Sequence, residues 1–189
     1  MGVEARRVVS PNDVVRGGCA YFLRHGTIDM DALAVALCIS RATLYRVVHG
    51  RDRLLGLVFC RLSERQLARA RRERTCCGVD GVLEVSRHFC TRLLASEPFR
   101  AFLLAEPDTA ARVLFTAAGG VHRRVVEVQR EILIEAAQDG DRWLTGDIDR
   151  LAYLYVRIFE SMLYAELLTG RQLDPDLAER AAIALLEAA

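Results

Sequence analysis

The chain has 189 residues, enough for one domain or two small ones with a sizeable core, and 52% are hydrophobic although only 7% are aromatic. Its 26 basic residues are all arginine and face 25 acids, so the net charge of +1 by itself says little. The charges are nevertheless segregated: residues 1–74 hold 14 Arg against 7 acids, and residues 75–189 hold 12 against 18. A basic first part can meet phosphate, and an acidic second part would avoid it. The opening residues, Met1 to Arg7, contain no apolar stretch of a secretory leader, and no apolar run is long enough for a bilayer. A cytoplasmic protein without a membrane partner is therefore expected.

The periodicity predicts an all-α chain of about nine helices. Ser10-Pro11 pairs a capping hydroxyl with proline at the first helical position. The helix behind it presents Val14, Val15, Cys19, Phe22 and Leu23 inward and stops at Gly26. Asp29 caps the next helix, with Met30, Leu33, Ala34 and Leu37 on its apolar side. A three-residue turn leads to Ser40, which caps a helix from Arg41 to about Val48, with Leu44 and Val47 or Val48 facing inward. Arg41, Ala42, Thr43, Tyr45 and Arg46 are thereby left outward. Guanidiniums, hydroxyls and a methyl on a short capped helix are the groups that read base edges and grip phosphates in a major groove. The pattern is a helix-turn-helix and predicts a reader of double-stranded DNA. Ser40, Arg41, Thr43, Tyr45, Arg46 and His49 are the contact candidates.

A fourth helix is expected from Arg51 to about Arg74, with Leu54, Leu55, Val58, Leu62 and Leu67 inward and Arg61, Arg65, Arg69, Arg71, Arg72 and Arg74 along its end. Thr75 to Gly78 is the plausible boundary loop. Beyond it lie a helix over about 79–96, two short pieces punctuated by Pro98 and Pro107, and a helix over about 121–138 followed by Gly140. Another runs from Asp147 to Gly170, and a last one opens on Asp174-Pro175. The segment from Ile148 to Leu168 is apolar on nearly every side, which calls for two burial partners. The chain's own core and a second subunit would satisfy it, with Ala165 placed on the outward side, and a homodimer also suits a helix-turn-helix that reads palindromes. The working division is a DNA-binding domain over 1–55 and a regulatory and dimerisation domain over 56–189.

The six cysteines make no C-x-x-C pair, and no histidine spacing fits zinc, so neither a metal site nor a cofactor is expected. Cys76-Cys77 stands beside arginines that could lower a thiol pKa, which leaves a redox role open beside an inert loop pair. Catalysis is not expected: His88 and Cys90 are two apart on a helix and diverge, and no nucleophile, base or carboxylate pair has catalytic spacing.

Residues 28–54 resemble the DNA-binding domain of the TetR family of bacterial repressors, in Ala34, Ile39-Ser40-Arg41, Thr43-Leu44-Tyr45-Arg46 and Gly50-Arg51-Asp52-Arg53-Leu54. Cys38 departs from the glycine usual in the turn, and Val47-Val48 from an aromatic pair. Residues 151–170, with Phe99-Arg100-Ala101-Phe102-Leu103 and Glu106-Pro107, resemble the C-terminal domain of that family's QsdR subgroup, with Phe159 where a small residue is usual. The resemblance implies a basic phosphate contact at Arg51 and a ligand-released repressor acting on a palindromic operator. It also implies a small, mostly apolar effector, a lactone being the subgroup's suggestion. Candidate lining residues are Ser86, Phe89, Leu93, Phe102, Val125, Tyr155, Phe159 and Met162. Arg157 and Glu160, three apart, are read as a structural ion pair before an effector contact. The alternative is a constitutive or thiol-responsive DNA-binding regulator without an effector.

Overall fold

A computed structural model of the chain describes residues 9–138, 146–165, 170 and 175–188. Among these it contains ten helices and no strand. They are α1 (Pro11–His25), α2 (Met30–Ala36), α3 (Arg41–Val48), α4 (Arg51–Glu73), α5 (Gly78–Leu94), α6 (Glu97–Ala105), α7 (Pro107–Phe115), α8 (Val121–Gln138), α9 (Ile148–Leu163) and α10 (Pro175–Glu187). The two short pieces anticipated around Pro98 and Pro107 are separate helices that meet at Glu106, which is why ten appear where about nine were read. The expected Asp174 cap, and continuation of α9 through residues 166–169, lie outside the described residues.

The helix starts follow from capping chemistry. The Ser10, Asp29 and Ser40 side chains accept from free first-turn N–H groups of α1, α2 and α3, at 2.8–3.1 Å. Asp29 is held below the usual carboxylate range by the backbone N–H groups of Ala32 and Asp31. Between α2 and α3 the turn keeps a left-handed residue although no glycine is there: Cys38 has φ 54°. Its N–H donates to Val35 O, and that of Ile39 to Ala34 O, each at 3.0 Å. These bonds hold the turn against the strain of a side chain in that region.

Long α4 packs against α1, α5, α7 and α8 and so belongs to both halves of the chain. A Cβ at Gly56 on its inner side would drive into the carbonyl of Gly119 in the α7–α8 turn, so glycine is needed for this close approach. One buried cluster joins α1–α4 to α6, α7 and Tyr164, and the other lies between the second half of α4 and α5, α8, α9 and α10. In the first, Phe22 of α1 stacks edge-on to Phe59 of α4 with centroids 4.9 Å apart. Phe59 in turn meets Phe99 and Phe102 of α6 at 5.8 and 5.2 Å.

Two inward or outward assignments are corrected. Leu23 is 49% exposed, since the buried side of α1 is taken by Val14, Val15, Gly18, Cys19 and Phe22. Ala165, expected to face outward, is 1% exposed: it follows the α9 C-cap at Tyr164 and so no longer follows the helix's rotation. In the isolated chain α9 is not buried all round, since Tyr153 and Leu154 are 48% and 39% exposed. Leu177, Ala181 and Ala184 form an exposed row on the outer side of α10, which packs against α9. No described helix is long and apolar enough to cross a membrane.

Relieving the turn strain is a direct check on this geometry. A side chain in the left-handed region costs roughly 1–2 kcal/mol, and glycine's extra unfolded-state entropy returns about 0.5–1 kcal/mol. Cys38→Gly is therefore expected to stabilise the fold by up to ~1 kcal/mol and raise Tm by roughly 2–4 °C, measured by thermal circular dichroism.

Candidate nucleic-acid interface and neighbouring cavities

The outer side of α3 carries the candidates from the sequence. Arg41, Ala42, Tyr45 and Arg46 are exposed, as are the cap residues Ser40 and His49, while Leu44 and Val48 are fully buried beneath them. Arg41 lies over the Tyr45 ring, Cζ 5.4 Å from the centroid, and donates from Nη1 to Asp31 Oδ2 at 3.0 Å. Both partners of that ion pair are more than 60% exposed, so it is weak and readily exchanged for another anion or a base edge. The Thr43 hydroxyl lies 2.9 Å from Ser40 Oγ, so a contact from Thr43 to a base must share or replace that bond. His49 ends the helix in a left-handed conformation at φ 60°. A concavity beside α3 is bordered by Arg16 and Gly17 of α1, the Cys38 turn, Thr43 and Arg46. Arg16 was not singled out in the sequence, where it is one of many exposed arginines; only the packing of α1 beside α3 puts it along this surface.

Arg51, for which a phosphate contact was expected, is held by partners within the chain. All three nitrogens of its guanidinium are engaged within the chain. Nε donates to Ile28 O at 2.6 Å, Nη1 to Glu106 Oε2 at 2.7 Å, and Nη2 to Glu106 Oε1 and Thr27 Oγ1 at 2.6 and 2.8 Å. Thr27 Oγ1 also donates to Glu106 Oε1 at 2.6 Å. The first residue of α4, the loop before α2 and the α6–α7 junction are thus tied in one ion-paired knot. The physical reason is the bidentate match of a guanidinium to a carboxylate that the fold brings within reach across 55 positions. The Glu106-Pro107 pair was visible in the sequence, but its partner was not.

The effector candidates separate into three groups. Ser86, Phe89, Val125, Tyr155 and Phe159 line one small cavity of about 40 Å³ between α5, α8 and α9. Ser86 Oγ and Tyr155 Oη are 2.9 Å apart within it, and burial pushes the Tyr155 hydroxyl well above its usual pKa. Leu93 lines a larger neighbouring cleft of about 380 Å³, which shares Phe89 and Tyr164 with the small one. Phe102 and Met162 line neither; Phe102 is wholly buried in the first core cluster and Met162 lies in the second. Arg157 pairs with Glu160 as read, Nη1 to Oε2 at 2.8 Å, and His122 Nδ1 lies 2.8 Å from the other carboxylate oxygen. His122 was missed, because nothing in its own helix marks it as the partner of a residue 38 positions away. Cys76 and Cys77 are exposed free thiols, and the backbone N–H groups of Thr75 and Cys76 bind the Glu84 carboxylate and hold its pKa at about 2. Among the described residues no three His, Cys, Asp or Glu side chains are grouped to hold a metal.

The family model for the tetracyclin repressor-like C-terminal domain matches residues 77–187. The QsdR transcriptional repressor of R. erythropolis, from the TetR family, has a similar structure, with 27% identity over 93% of each chain and a TM-score of 0.85. A TetR-family transcriptional regulator from Streptomyces coelicolor shares the fold at 19% identity, over 100% of this chain and 84% of that one, with a TM-score of 0.54. No curated protein reaches a significant match.

The Arg51–Glu106 knot has a pH signature. Arg51's hydrogen bonds lower the Glu106 pKa in the folded chain, so the linked stability is complete above the ordinary glutamate range near 4.5 and is lost as pH falls through the lower folded value. Glu106→Gln is expected to cost roughly 1–3 kcal/mol at neutral pH, and the gap to wild type should close as pH falls below that range. Urea denaturation of both chains from pH 7 to pH 3 measures this.

Proposed function

The chain belongs to the TetR family of DNA-binding transcriptional regulators, which are not enzymes, and on that premise we propose that it is a ligand-released repressor that binds a palindromic operator as a homodimer. The reading is carried by α3: a short helix capped by Ser40, with a buried Leu44 and Val48 side and an outward side of Arg41, Ala42, Tyr45 and Arg46. Arg41 and Thr43 read base edges, and Tyr45 and Arg46, with Ser40 and His49 at the helix ends, hold phosphates. Arg51 is assigned to the interdomain knot instead. Residues 1–55 form the DNA-binding unit and residues 56–189 the regulatory and dimerisation unit, with α4 crossing between them.

Dimerisation is supported by Leu154 on α9 and by Leu177, Ala181 and Ala184 on α10, apolar groups exposed on two helices that pack against each other in the single chain. Covering a large aliphatic side chain contributes about 1.5–3 kcal/mol, and a four-helix arrangement of two α9–α10 pairs would cover them all. The doubled reader must span successive major grooves, about 34 Å apart. An effector that favours a different spacing of the two α3 helices shifts the population away from the operator-bound state.

Both halves of this reading are measurable by operator titration. Arg41→Ala is expected to cost roughly 1–3 kcal/mol and relax preference at one base pair per half-site, whereas Arg46→Ala should weaken all sequences alike and lower the salt slope by about 1. Leu154→Glu with Ala181→Glu should yield helical monomers in light scattering that no longer hold the operator. A wild-type monomer at micromolar concentration would overturn the dimer.

For the effector, a small, mostly apolar molecule such as a lactone is assigned to Ser86, Phe89, Val125, Tyr155 and Phe159. A void of about 40 Å³ holds little more than a water molecule, so binding there requires α5, α8 and α9 to part. The matching ligand should loosen the operator by about 10- to 150-fold, the usual size of an allosteric coupling. Ser86→Ala should weaken that response while leaving the operator affinity of the free protein intact. If a lactone and metabolite panel changes neither thermal stability nor operator affinity, the protein is a constitutive binder. A response to thiol oxidation instead would assign control to exposed Cys76 and Cys77.

A further inference from the structure

The larger cleft, of about 380 Å³, opens where α1, α4, α5 and α6 meet. Its volume falls within the range of small-molecule pockets, unlike that of its neighbour. Phe22, Phe59, Phe89, Phe99 and Tyr164 are apolar wall residues, each less than a tenth exposed. Its other border is cationic: Arg65, Arg69, Arg72 and Arg92 line it, and no acidic side chain does. Glu73, just outside, accepts from Arg69 Nε at 2.7 Å and from Arg92, so one carboxylate stands against four guanidiniums. Neither Arg65 nor Arg72 has an ion-pair partner among the described residues.

Two buried polar atoms of this same lining lack any partner: Arg92 Nη1 and Gln66 Oε1. A buried guanidinium N–H left unmade is costly, and such groups persist where a ligand or water completes them. Arg92 donates from Nη2 to Glu73, while its buried Nη1 has no partner within the chain. Gln66, as an amide, can present either a donor or an acceptor to a polar head.

We propose that this cleft is a binding site for an anionic amphiphile, an apolar chain ending in a carboxylate or phosphate. The tail lies among Phe22, Phe59, Phe89 and Phe99, and the head is held by Arg92 with Arg65, Arg69 and Arg72 around it. A guanidinium cluster suits either anion, and a neutral head would leave the excess charge unmatched. The site differs from the small cavity between α5, α8 and α9 in position and in ligand charge. Because Phe22 stands on α1 and Phe59 on α4, an occupant touches both the DNA-binding helices and the regulatory half. The proposal rests on the regulator reading only for that consequence, not for binding itself.

Calorimetric titration of the full chain, without DNA and below micelle-forming concentrations, tests it with dodecanoate, dodecyl phosphate and dodecanol. One anion per chain should bind at least ten-fold more tightly than dodecanol, and the better of the two anions identifies the head. Arg92→Gln should erase that preference while leaving dodecanol binding unchanged. Should that variant fail to fold, Arg72→Gln, at an exposed position, should lower the anion preference several-fold. Equal binding of dodecanoate and dodecanol, an anion preference that survives both substitutions, or no binding at all overturns the site. Saturable anion binding that leaves operator affinity unchanged would keep the site and sink its link to the DNA-binding helices. Operator release by a neutral lactone, with no amphiphile binding at any concentration, would keep ligand release and overturn the site.

Discussion

The contact between Phe22, Phe59, Phe99 and Phe102 is the constraint on which the rest of the fold depends. Three helices from different parts of the chain bring these rings within 4.9–5.8 Å of a neighbour, in edge-on or tilted packings. Such pairs add about 0.5–1.5 kcal/mol beyond simple burial, and they are directional. Because Phe22 sits on α1, the DNA-binding helices do not close a core of their own. They share one with α6 and α7, and the position of α3 is thereby linked to the second half of the chain.

The Arg51 knot works at the edge of that shared core. Hydrophobic contacts set the distance between α1–α4 and the α6–α7 junction, and the guanidinium then sets orientation, binding Ile28, Thr27 and Glu106 together. Its partially buried position makes the pairing stronger than the exposed Arg41–Asp31 bridge on the DNA side. The difference suits the two places. One cation is fixed by several partners at once, and the other holds a single exposed carboxylate.

Lower in the chain, polar groups are buried in small sets rather than singly. Ser86 with Tyr155, and Glu160 with His122 and Arg157, satisfy one another where α5, α8 and α9 converge. Hydrogen-bonded sets of this kind prefer one relative setting of their helices, since parting them exposes several unmet groups together. The small cavity lies among these groups, and the cleft beside the arginines lies one helix away. Two cavities, one bordered by arginines and one not, therefore adjoin the same buried Phe89 and Tyr164.

Local signals were sufficient for most of the helices and for the outward side of α3. Ser10-Pro11, Asp29 and Ser40 act on backbone groups two or three residues away, and the alternation of Leu44 and Val48 with Arg41, Tyr45 and Arg46 is complete within two turns. Those are short-range effects, so the amino-acid order alone determined them, as it did the segregation of charge between the two parts. The phosphate contact expected of Arg51 came from the family resemblance; that Glu106 lies beside it is decided only when folding closes a loop of 55 positions. Phe102 and Met162 carry the same apolar character as Phe89 and Phe159, and only packing sends them to solid core instead of a cavity wall. Ala165 turned inward for a similar reason, since the helix stops just before it. The arginines at the end of α4 border a cleft only because α5 brings Arg92 opposite them and α1 and α6 supply an apolar floor. Contacts between distant segments depend on the relative placement of whole helices, which is decided by the collective burial of side chains and is not encoded at any one position.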